Sequence, residues 1–170
     1  MTVRIRPLEI GDSELVVAWR NRRDVHEQLF AREAPTLESH RAWYEAYRRS
    51  SDREELIVLK DERPVGTVGL SSIDRHHRRA EFGILIGEPS ARGRGVAEAA
   101  SRLLLERAFA DLQLLRLWLH VFPENAAALR LYERLGFHRE GLLRKHIIKD
   151  GVPRDIVVMG LLASERTPKA

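Results

Sequence analysis

The chain has 170 residues, 44% hydrophobic and 32% charged, with no cysteine, which suits a single folded domain over residues 1–170 and excludes disulfides, thiolate metal sites and an acyl-cysteine intermediate. Its formal net charge of +4 raises nucleic acid as a partner, but 29 basic residues are interspersed with 25 acidic ones and aromatics make up only 6%, so the charge reads as solvated surface. The longest apolar run, Leu112 to Val121, is broken by Gln113 and Arg116 and falls short of a membrane span.

Val3 to Pro7 reads as a first strand, and Met1 to Ile10 lacks the apolar core of a signal peptide, so a cytoplasmic location is expected. Asp12 or Ser13 caps a helix with Leu15, Val16 and Trp19 on one side, and Thr36 opens a second helix through Trp43, Tyr44 and Tyr47. Glu55 to Lys60 and Pro64 to Ser72 form two strands about an Asp61-Glu62-Arg63 turn, and Ala80 to Ile86 forms a fourth. Between them Arg75-His76-His77-Arg78-Arg79 reads as a charged hairpin tip. Its histidines lack a cysteine or carboxylate at metal-ligand spacing, so no metal is expected. A helix over Val96 to Ala110, a strand over Leu115 to Val121 and a helix over Asn125 to Leu135 follow. Phe137 to Lys149 and Asp155 to Leu162 close the chain as a hairpin around Asp150-Gly151.

Between the fourth strand and the helix at Val96 stands Glu88-Pro89-Ser90-Ala91-Arg92-Gly93-Arg94-Gly95. Gly93 and Gly95 let the backbone turn with its amides inward, Arg92 and Arg94 add positive charge, and the helix aims its unsatisfied N–H groups at the same spot. An anion belongs there, most simply a pyrophosphate. The nucleotide-hydrolase loop is excluded because its lysine and hydroxyl are missing, and the dinucleotide fingerprint because it needs a third glycine.

Downstream, Asn125 is a good N-cap, three alanines favour helix and Gly136 is placed to end it. Leu129, Tyr132 and Leu135 share one face, so Tyr132 points with the core residues and its hydroxyl reaches the rim.

Arg92-x-x-Gly95-x-Ala97 resembles the Gln/Arg-x-x-Gly-x-Gly/Ala signature of the GNAT superfamily of N-acetyltransferases, and Asn125-x-x-Ala128-x-x-x-Tyr132-x-x-x-Gly136-Phe137 resembles its second hallmark. The resemblance covers about residues 80 to 140, and the order of elements agrees with it. It implies an α/β fold with a mixed, mostly antiparallel sheet of about seven strands, splayed between the fourth and fifth and flanked by about four helices. It also implies acetyl-CoA as cosubstrate, with the pyrophosphate in the cradle of Arg92, Gly93, Arg94, Gly95, Val96 and Ala97. The pantetheine arm would lie along the backbone of Leu85, Ile86 and Gly87, whose freed edge amides suit a thioester oxygen gaining charge. Asn125 would offer its side-chain amide to the same arm.

An amine acceptor arrives as an ammonium, so some group must take its proton, and Glu81 and His120 are both candidates. Glu81 opens the fourth strand among apolar neighbours, where desolvation favours a base, whereas His120 stands where related ribosomal-protein acetyltransferases carry a glutamate. Tyr132 matches the group that protonates the departing thiolate. With no cysteine available, transfer would be direct, in a ternary complex. The acceptor reads as a primary amine of a small metabolite such as an amino sugar, or a protein N-terminal amine. Trp19-Arg20-Asn21 and His40-x-x-Trp43 resemble the branch that holds ribosomal-protein, spermidine and UDP-amino-sugar acetyltransferases. The alternative is a non-catalytic acyl-CoA-binding sensor or interaction domain, and the C-terminal hairpin is an exposed edge through which a homodimer could pair.

Overall fold

A computed structural model describes residues 1–166. Seven strands form one sheet in the order β1-β2-β3-β4-β5-β7-β6. β1 (Val3–Pro7), β2 (Glu54–Lys60), β3 (Arg63–Asp74) and β4 (Arg79–Ile86) make one half, each strand antiparallel to the next. β5 (Arg116–Val121), β7 (Val152–Leu162) and β6 (His138–Lys149) make the other, also antiparallel. The halves meet only where β4 runs parallel to β5, through the pairs Arg79–Arg116, Ala80–Leu117 and Glu81–Trp118. From Phe82 and Leu119 onward the two strands diverge and leave a gap in the sheet. This is the expected splay.

Two hairpins are closed by turns whose central residues both have positive φ: Asp61 and Glu62 at 47° and 64°, and Asp150 and Gly151 at 51° and 77°. That geometry matches the right-handed twist of the flanking strands. Strand alternation then sends Leu56, Val58, Val68, Leu70, Ala80 and Phe82 to one face, where α4 (Val96–Glu106) and α5 (Ala126–Leu135) cover the larger core. Ile57 and Leu85 point to the other face and pack with α1 (Ser13–Asn21) and α3 (Leu37–Tyr47) through Trp19 and Tyr44.

Local chemistry explains the starts of two helices and the end of one. Thr36 and Ser39 form a reciprocal capping box on α3. Asn125 Oδ1 accepts the Ala128 N–H at 3.1 Å to start α5, and Gly136 at φ 97° ends it. Two features differ from the sequence reading. The predicted helix to Ala110 stops at Glu106 and gives way to a turn of π-helix over Arg107–Asp111, so that Leu112 N–H bonds Arg107 O. A one-turn helix, α2 (Arg23–His26), follows α1, where the sequence reading placed no element. The segment after it is held from afar: buried Lys149, at the end of β6, donates from Nζ to the carbonyls of His26, Leu29 and Ala31, each at 2.9 Å. An ammonium has three donors, and here all three are used.

Candidate active site

Glu81 is the last β4 residue paired with β5, and its partner there is Trp118. His120 lies two residues further along β5, and by alternation on the same face as Glu81. The two side chains meet at the mouth of the gap, with His120 Nδ1 3.0 Å from Glu81 Oε1. They retain 28% and 29% exposure respectively, so the pair is sheltered yet open to a cleft. In the tautomer that gives Nδ1–H to the carboxylate, Nε2 carries the free lone pair. Glu81, which the sequence placed among apolar neighbours, also faces an imidazole.

The cleft, of about 860 Å³, runs from this pair to the start of α4 and is lined by Ile84, Ile86, Gly93, Gly95, Asn125 and Tyr132 among others. At its far end the backbone turns through Gly93 at φ 68° and Gly95 at φ 75°. Gly95 is the N-cap of α4 and supplies no side-chain cap, so the first N–H groups of the helix, at Val96, Ala97 and Glu98, have no intrahelical partner. A Cβ built at either glycine meets no atom within 4 Å, so the turn is bordered by open space. Unpaired amides at a helix N-terminus bordered by open space fit a diphosphate.

Three of the expected residues have partners or positions that the sequence did not show. Arg92 lines the cleft, and its guanidinium donates to Ile86 O at 3.0 Å and Gly87 O at 3.4 Å and pairs with Asp24. Arg94 is exposed and lies outside the cleft lining. Gly87 has no free amide, since its N–H goes to Val65 O at 2.9 Å. Because hydrogen-bonded and open pairs alternate along antiparallel strands, this bond turns Leu85 N–H toward Thr67 on β3 and leaves Ile84 and Ile86 with their amides toward the gap. Gly87 is required for another reason: a Cβ there would come within 2.0 Å of Trp19 Cγ. Trp19 in turn donates from Nε1 to Glu88 Oε1 at 2.7 Å, fixing the exit of β4 into the loop.

Tyr132 is 8% exposed, packs edge-on against Phe82 and lines the cleft. Burial pushes its hydroxyl up to about 12, so it stays protonated at every physiological pH. Asn125 spends its carbonyl oxygen on the cap of α5, which leaves its NH₂ group for the cleft. Missed by the sequence reading were Arg130 and Arg134, which line the cleft beside the loop from α5. Both lie one or two helical turns beyond Ala127, at a spacing that could have flagged them. Glu98, also at this end, is held well below the usual carboxylate range by hydrogen bonds from Arg102 and Arg134. Among the described residues no group of three His, Asp or Glu side chains is placed to hold a metal.

Residues 2–138 match the family model described as acetyltransferase (GNAT) domain. The chain belongs to the GNAT acetyltransferase family. It is 31% identical over 170 residues to the probable N-acetyltransferase YjcK of Bacillus subtilis, covering 95% of this chain and 94% of that protein. It is equally 31% identical over 172 residues to the spermidine N(1)-acetyltransferase of Escherichia coli K12, covering 98% and 92%. Among solved structures, spermidine N-acetyltransferase from Vibrio cholerae in complex with CoA and spermine superposes with a TM-score of 0.90 at 29% identity, covering 96% of each chain. The protein is thus an acetyl-CoA-dependent N-acetyltransferase with the GNAT fold.

Proposed function

We propose that this GNAT enzyme acetylates a primary amine directly, in a ternary complex, with His120 as the base, Glu81 as its positioning partner and Tyr132 as the acid. The observation that carries the reading is the 3.0 Å contact between Glu81 and His120 at the mouth of the gap between β4 and β5. Acetyl-CoA, when bound, supplies an activated acyl group on a thiol leaving group. The Gly93–Ala97 turn and the NH₂ of Asn125 would hold its diphosphate and pantetheine, and the amides of Ile84 and Ile86 face the gap as donors for a developing negative charge.

The ammonium of the acceptor must lose a proton before its lone pair can attack. His120 Nε2 accepts it, and Glu81 holds the ring in the right tautomer and stabilises the imidazolium that forms. Tyr132, kept neutral by burial, holds a proton available to the leaving sulfur. A phenol that stays protonated near neutral pH cannot act as the base there.

The reading includes a small metabolite amine or a protein N-terminal amine as acceptor, and work in the cytoplasm. The dodecameric form of the Vibrio cholerae spermidine N-acetyltransferase supports self-association, with the edge strand β6 as a surface for pairing. The test is steady-state release of free thiol from acetyl-CoA over a panel of amines. Saturable, acceptor-dependent release supports transfer, whereas tight CoA binding with no acceptor-dependent release would leave only a binding module.

A further inference from the structure

The opposite end of the cleft from the diphosphate turn is built across β2, β3 and β4 on the face of Glu81. Glu55 on β2 pairs with Gly69 on β3, which pairs with Gly83 on β4, so one row across the sheet has two glycines for a floor. A Cβ built at Gly83 meets nothing within 4 Å, and one at Gly69 would come within 2.8 Å of Glu55 Oε2, so the carboxyl leans over the groove. Glu81 is one same-face step along β4 from that row. Two strand spacings across and one step along put the Glu55 and Glu81 backbones roughly 12 Å apart. That span fits a small metabolite.

Arg20 closes this far end. It lies near the C-terminal end of α1, lines the cleft half-buried, and among the described residues enters no ion pair. Burial pulls its guanidinium below its ordinary value, with only a through-space attraction from Glu55 to offset this. The Glu55 carboxyl makes its close contact with Arg53, at 3.5 Å, and among the described residues forms no ion pair with Arg20. The neighbours of Arg20 in sequence are committed elsewhere: Trp19 is in the core and Asn21 donates to Pro35 O at 2.9 Å. A planar fork of donors, half out of water and facing a glycine-floored groove, matches a carboxylate or phosphate oxygen pair.

We propose that Arg20 is a specificity residue that selects a small primary amine bearing an oxyanion, carboxylate or phosphate, with the amine at His120 and the anion on the guanidinium. This rests on the acetyl-transfer reading above and names its acceptor class. A polycation would instead set a second ammonium against Arg20.

Thiol release is measured for glucosamine 6-phosphate against glucosamine, 4-aminobutyrate against 4-aminobutanamide, and spermidine, in the wild-type enzyme, Arg20→Gln and Arg20→Lys. The two anionic arms separate phosphate from carboxylate. The expected result is at least a tenfold preference in kcat/KM for one anionic member over its uncharged partner, carried by KM. Arg20→Gln brings that ratio near one, and Arg20→Lys leaves an intermediate value. Spermidine or an uncharged amine used as well as the anionic members, with a ratio unmoved by Arg20→Gln, overturns the proposal while leaving acetyl transfer standing. If no amine supports release, acetyl transfer itself falls. Thermal stabilisation by glucosamine 6-phosphate in the wild type and its loss in Arg20→Gln would then still uphold the anion site, and equal stabilisation of both would overturn it.

Discussion

His120 and Glu81 touch at the last point where β4 and β5 are still paired, the imidazole Nδ1 3.0 Å from the carboxylate. Beyond the Glu81–Trp118 pair no further β4–β5 pairing occurs, so the contact sits where the gap opens. The strand register thus sets both the opening and the pair that guards it. Two residues read from the sequence as separate candidate bases are in direct contact.

Tyr132→Phe should fold as the wild type, because the hydroxyl makes no hydrogen bond among the described residues and the ring keeps its contacts with Phe82 and Phe137. Turnover should fall by about ten- to a hundredfold, at the low end for a general acid because a thiolate already leaves readily. Steady-state kcat with unchanged KM for acetyl-CoA checks this. A variant as fast as the wild type would remove the phenol from the reaction.

Gly95→Ala tests the diphosphate turn. The added methyl meets no protein atom, but φ is 75°, so the strain is about 1–2 kcal/mol in the folded chain and the methyl intrudes on the space left for the anion. Affinity for CoA by titration calorimetry should fall by about tenfold or more while the melting temperature drops only modestly. Equal affinity would show that the diphosphate sits elsewhere.

Stability should also depend on pH through His40, which is buried at 6% exposure with neither ring nitrogen bonded among the described residues. Desolvation, with a smaller contribution from Arg20, lowers its pKa from 6.5. The folded state therefore holds the neutral ring, and the unfolded chain binds the extra proton. The contribution is complete above about pH 6.5 and is lost as the pH falls through that value toward the folded pKa. Melting temperature should decline between pH 7.5 and 5.5, and His40→Leu should decline less steeply. Parallel slopes for the two proteins would rule His40 out as the cause.

What could be read from the sequence was local. The Asn125 cap, the Gly136 stop, the Asp150-Gly151 turn and the left-handed Gly93 and Gly95 each carry their reason within a few residues, and each stands where expected. What could not be read depends on distant partners. Lys149 holds the segment after α2 from 120 residues away, so no pattern near Arg23 announced that helix. Arg92 donates to Ile86 O and Gly87 O and pairs with Asp24, and Gly87 is glycine because of Trp19. Trp19-Arg20-Asn21 divides into a core ring, a cleft cation and a loop tether, a split that depends on which way each side chain leaves α1.

The pairing of Glu81 with His120 is tested most directly by a double-mutant cycle on kcat/KM, using Glu81→Gln, His120→Ala and the double variant with one good amine acceptor. The account predicts that His120→Ala costs about a hundredfold near neutral pH, that Glu81→Gln costs somewhat less, and that the double variant is hardly worse than His120→Ala alone. The loss in His120→Ala should shrink as the pH rises toward the pKa of the acceptor amine, which then arrives already deprotonated. Single losses that multiply in the double variant, with no dependence on pH, would contradict the account.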